Sequence, residues 1–164
     1  MRDHGEDAPR QPGRSQRGLN LVEVIVALAL LAMVLMGIST LFIKGGKSVK
    51  SGKLLTSATS VGTDIMEEID KMAYAQTYGL FGGTSAQTGL TADTRTNTYA
   101  QRWQANIDSL LSKPGYRAFA TIVETPLGGG ATFGTAECIR VAVTVQWLEG
   151  TTRVRTANFE TVRF

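Results

Sequence analysis

The sequence predicts an α+β chain in which a long N-terminal helix, with a membrane half and an amphipathic half, carries a small antiparallel β-sheet domain. Three patterns predict it. From Val24 to Ile43 the residues are apolar apart from Ser39 and Thr40. About 20 such residues, at roughly 1.5 Å each, cross a hydrocarbon core of roughly 30 Å. Leu54, Ala58, Val61, Ile65, Ile69 and Met72 then recur at spacings of four and three, the period of an amphipathic helix. Near the C-terminus Ile139, Val141, Val143, Val145 and Trp147 occupy every second position, as one face of a half-buried strand does.

Residues 1–18 hold prolines, glycines and mixed charge, with Arg10, Arg14 and Arg17 approaching the apolar run. They read as an unstructured leader. Residues 19–43 form the membrane helix. A conventional secretory signal has an apolar run of about 7–15 residues before a small-residue cleavage site. Gly37 and Ser39 imitate such a site, but the run here is longer and an acid, Glu23, stands at its start.

Residues 44–78 are a glycine-containing joint followed by the amphipathic helix. Lys44, Lys47, Lys50 and Lys53 appear with no intervening acid and read as contacts to lipid headgroups. The GGKS quartet resembles half of a phosphate-binding loop, but the earlier glycine that such a loop requires falls at Leu41. Gly45, Gly46 and Gly52 each cost a helix roughly 1 kcal/mol relative to alanine, which predicts an interruption or bend there. Leu55, Gly62, Met66 and Ala73 widen the apolar stripe, and Asp64, Glu67, Asp70 and Lys71 take the opposite side. The rod is expected to end near Tyr78.

Residues 79–164 are expected to form the small globular domain. Tyr99, Trp103, Ile107 and Leu110 predict a short helix stopping before Lys113, Pro114 and Gly115. Tyr116 to Thr125 reads as a strand, followed by a loop containing Pro126 and three consecutive glycines. The alternating strand through Trp147 turns at Glu149 and Gly150 into a hairpin partner. Alternation weakens after Val154, which predicts a bulge or break near Thr156 to Asn158. Arg140, Arg153 and Arg155 are expected on one polar face of this hairpin, with Arg163 joining them beyond the bulge.

At 164 residues and net charge +3, with one cysteine (Cys138) and one histidine (His4), the chain holds neither an internal disulfide framework nor a Cys/His zinc cluster in a single copy. No GxSxG or HExxH pattern occurs, so the residues single out no catalytic group and no cofactor.

The run Arg17-Gly18-Leu19-Asn20-Leu21-Val22-Glu23, followed by an apolar helix, resembles the N-terminal signature of type IV pilins and the related pseudopilins. The layout of a long helix carrying a small sheet domain is similar to that family too. The EVIVALALLAM run and the VTVQWLEGTTRVR hairpin look most like a minor, V-type pilin with a class III prepilin signal. The resemblance implies that a prepilin peptidase cuts between Gly18 and Leu19, discarding the leader and His4 with it, and that Leu19 is then N-methylated. It implies that Glu23 is the assembly contact, matched to the amine of a neighbouring subunit. Elementary physics supports the pairing, because amine and carboxylate are each costly in hydrocarbon without a counter-charge. The chain departs from abundant pilins in lacking a proline in its membrane half, in having Asn20 where threonine is common, and in lacking a C-terminal disulfide loop.

The function so implied is that of a minor type IV pilus subunit that initiates or modifies the filament, for adhesion, twitching motility or DNA uptake. A minor pseudopilin of a type II secretion system is the alternative. The implied partners are other pilin subunits, the prepilin peptidase and the inner-membrane assembly machinery. The implied location is the bacterial inner membrane, single-pass, then a pilus or periplasmic pseudopilus. Four basic residues on each side of the apolar run leave orientation undecided by charge; the resemblance places the leader inside. Nucleic acid is a weaker expectation, resting on the hairpin arginines against phosphate, with no interleaved aromatics to stack bases.

Overall fold

The computed structural model describes residues 20–130 and 132–164. The predicted fold class is observed: one long helix, α1 (Leu21–Asp70), precedes an α+β domain. The other elements are α2 (Tyr74–Gly79), β1 (Leu90–Asp93), α3 (Gln101–Leu111), β2 (Phe119–Leu127), β3 (Cys138–Glu149) and β4 (Arg153–Arg163). The four strands form one antiparallel sheet in the order β1-β2-β3-β4. The chain divides into two units between Gly45 and Gly46.

The second unit has its own core. Ala58, Val61, Ile65 and Ile69 of α1, with Met72 just beyond it, pack in one cluster with the inward rows of the sheet and with α3. On β3 the inward row is the predicted one, Ile139 through Trp147, and all five residues are buried. Trp103 and Ile107 of α3 are buried as expected, but the third position is Leu111; Leu110 is exposed. One turn past Ile107 is 3.6 residues, so the choice between positions 110 and 111 rests on tertiary packing. Leu55 and Ala73 likewise lie outside the buried stripe, whereas Gly62 lies within it. A methyl group at Gly62 would overlap the Phe159 ring, so glycine is what admits β4 to this face of the helix.

Several expectations are corrected. Gly45, Gly46 and Gly52 all lie inside α1 without interrupting it; a cost of about 1 kcal/mol per glycine is small beside the hydrogen bonds of a long helix. The helix ends at Asp70, eight residues before the predicted end. Its last turn tightens as the Lys71 and Met72 amides donate to Glu68 O and Ile69 O, and Arg163 of β4 donates to the Ile69 and Met72 carbonyls. These contacts satisfy acceptors that a helix end leaves without partners. The chain then forms the separate short α2.

Pro126 belongs to β2, opposite Ile139, rather than to the loop after it. β1 pairs only with positions 121–124 of β2, so Pro126 lies where that flank of the sheet is an edge, the place where proline is tolerated. β4 contains no bulge: its pairing with β3 runs in unbroken register from Arg153 opposite Glu149 to Arg163 opposite Ile139. The hairpin turns at Gly150, which takes the left-handed φ of 68°.

Buried polar side chains fasten α3 to its neighbours. The Thr94 hydroxyl donates to Gln104 Oε1 at 2.5 Å and accepts from the Ala120 amide at 3.0 Å. Gln104 Nε2 donates to Ala118 O at 2.8 Å. The Trp103 indole donates to Glu68 of α1 at 2.6 Å, and Arg102 pairs with the same carboxylate.

Candidate functional site

The N-terminal start of α1 is built by Asn20. Its side-chain oxygen accepts from the Val22 amide at 3.4 Å, and its carbonyl accepts from the Glu23 and Val24 amides at 2.8 and 3.2 Å. This is the capping role in which asparagine is favoured. Glu23 falls in the first turn, where the helix dipole favours a negative charge. It is solvent-exposed and forms no ion pair among the described residues. Gly18 and Leu19, the expected cleavage pair and methylation site, lie outside the described residues, as does the leader.

Around Glu23 and onward to Ile43 runs an extensive apolar surface. Sixteen large apolar side chains between Leu21 and Ile43 are each at least 40% exposed, and Glu23 is the one charged residue among them. The helix is long and apolar enough to cross a membrane. Its exposure distinguishes it from the core helix of a soluble protein, whose apolar residues are covered.

The hairpin arginines do not form the expected patch. In the unbroken register, Arg153, Arg155 and Arg163 share the side of β4 whose β3 partners are Glu149, Trp147 and Ile139, whereas Arg140 points to the opposite side. Arg155 donates to Glu149 at 2.6 Å, Arg163 is spent on the end of α1, and Arg140 faces Glu160 at 3.6 Å. The turn sets Arg153 and Arg155 opposite Glu149 and Trp147, away from the face of Arg140, and without a bulge Arg163 stays on their side, since only a one-residue shift exchanges the faces of a strand. Cys138, next to the buried Ile139 and so on the outer side of β3, is a free thiol.

One chemically distinctive residue was not anticipated from the sequence. Glu124 of β2 is 1% exposed, on the core side, and neither carboxylate oxygen has a hydrogen-bond partner. Burial pushes its carboxyl up to about 8, partly offset by the charge of Arg163. Its alternation with Ile122 and Pro126 on the inward row is the signal that could have found it. By contrast the Arg117 guanidinium, helped by Ser112 and Gln104 and opposed by partial burial, holds the Asp108 carboxyl at about 2. Among the described residues no three His, Cys, Asp or Glu side chains converge as a metal site would need. No family model, curated protein or solved structure matches this chain.

Proposed function

We propose that this chain is a minor subunit of a type IV pilus. Its N-terminal helix holds it in the bacterial inner membrane before assembly and joins it to other pilin subunits afterwards, to initiate or modify the filament. The observation that carries the reading is the continuous exposed apolar surface from Leu21 to Ile43 with a single carboxylate, Glu23, in its first turn. The second unit does not need that surface, because its core begins at Ala58 with Leu54 at the margin.

Two surroundings suit such a helix: lipid, and a bundle of similar helices. A subunit that passes from one to the other uses the same apolar side chains in both. In either, Glu23 requires a counter-charge. The amine released at Leu19 by cleavage after Gly18 supplies one when it belongs to a neighbouring subunit.

Quantitative mass spectrometry of sheared filaments, beside electron microscopy of a deletion strain, tests the proposal. The expected result is a sparse component beginning at Leu19 with one added methyl group, and fewer or defective pili when the gene is deleted. A dominant filament component would overturn the minor-subunit reading. Intact pili with secreted proteins retained inside the cell would replace it with a secretion pseudopilus.

A further inference from the structure

Beyond the filament reading, the second unit contains a basic cleft that the sequence order conceals. Lys47 and Lys50, three residues apart on α1 and therefore on adjoining faces, line a cleft of about 550 Å³ with Lys113, which lies just past α3. The Lys113 ammonium donates to Leu148 O at 2.7 Å. That bond fixes the side chain and leaves two of its three N–H donors for a ligand. The one carboxylate in the wall, Glu149, is already engaged by Arg155 and by the Ser51 hydroxyl. A second cleft adjoins the first through Lys50, Leu54 and Lys113, and adds Lys53 and the exposed Leu110. Four ammonium groups thus gather beside two leucines, with no free acid among the residues that line either cleft.

The location along the chain selects the ligand. Lys47 and Lys50 follow the apolar run by four and seven residues. A basic cluster directly beside a membrane helix is attracted to anionic lipid headgroups, and Leu54 with Leu110 offers an apolar wall that a free inorganic anion does not use.

We propose that this cleft binds the phosphate headgroup of an anionic phospholipid, with Lys47, Lys50 and Lys113 as its donors. The inference rests on membrane anchorage through α1, and not on assembly into a filament. The test uses the full chain in nanodiscs of phosphatidylcholine containing a minor fraction of phosphatidylglycerol, with retained lipid read by native mass spectrometry. Wild type should retain phosphatidylglycerol in preference to phosphatidylcholine. Lys50→Gln and Lys113→Gln should each lower that retention about fivefold, the effect of roughly one lysine near an anionic surface. Lys71→Gln, beyond the far end of α1, should leave it unchanged. Lys50 is an exposed helix residue, so its variant keeps the fold if the bond of Lys113 to Leu148 proves indispensable.

Equal retention by Lys50→Gln and wild type, or an equal loss in Lys71→Gln, would overturn the site. Displacement of the lipid by inorganic phosphate would overturn the lipid assignment in favour of a free-anion site. Failure of the chain to enter nanodiscs at all would overturn the anchorage itself, an outcome distinct from entry without lipid preference.

Discussion

Glu124 sets a pH dependence that the rest of the domain does not share. Its folded carboxyl titrates near 8, raised from the ordinary 4.5. Stability associated with the neutral form is therefore complete below about pH 4.5 and is lost as pH rises through about 8. At about 1.4 kcal/mol per pH unit, the loss is of order 4–5 kcal/mol once both states are ionised. Asp108 runs the other way: its depressed carboxyl favours the fold above the ordinary 3.8 and ceases to do so only as pH falls through about 2. Between pH 5 and 8.5 the slope should therefore belong mainly to Glu124. Urea unfolding of the 46–164 segment, followed by tryptophan fluorescence, should show the midpoint falling across this range. In Glu124→Gln the slope should flatten, whereas an unchanged slope would mean that the carboxyl is ionised in the fold. The amide also lacks a partner and costs about 1–3 kcal/mol, but that cost does not vary with pH.

β4 shows why some of the fold was readable in the sequence and some was not. β3 is paired on both sides and buried along one face, so its alternation is nearly complete and its register could be read directly. β4 is an edge strand whose inward row is Arg155, Ala157, Phe159, Thr161 and Arg163. Two arginines stand at the ends of that row because their partners, Glu149 and the terminal carbonyls of α1, come from elsewhere in the chain. Sequence periodicity records burial, and it cannot record a polar partner that only the fold supplies. The same limit explains the missed end of α1, where Met72 continues the apolar spacing while Arg163 terminates the helix. β1, at four residues, is too short to carry a pattern. Contact between α1 and β4 depends on Gly62, where any side chain must displace the Phe159 ring. Gly62→Val is expected to destabilise the second unit by about 1–3 kcal/mol, as overpacking does. Thermal melting of the 46–164 segment measures it, and a paired Phe159→Ala change should recover part of the loss specific to the valine.

The chain as a whole combines a domain that completes its own core with a helix start that leaves its apolar surface uncovered. The apolar run was readable because it is local in sequence, and the structure adds the Asn20 cap and the exposure. The Lys47, Lys50 and Lys113 cleft was not readable, because Lys113 reaches it from the turn after α3. In the proposed function, Glu23 is kept on this surface for assembly. Replacing it with valine removes a costly charge from hydrocarbon, so membrane insertion should be at least as good as in wild type. In a filament joined as proposed, it also strands a neighbour's amine, at a cost of about 3–5 kcal/mol for one member of a buried pair. The direct measurement is the amount of Glu23→Val recovered in sheared filaments relative to the amount in the membrane, compared with wild type. Normal membrane levels and filament recovery reduced more than about tenfold are expected; recovery equal to wild type at equal membrane abundance would contradict assembly through Glu23.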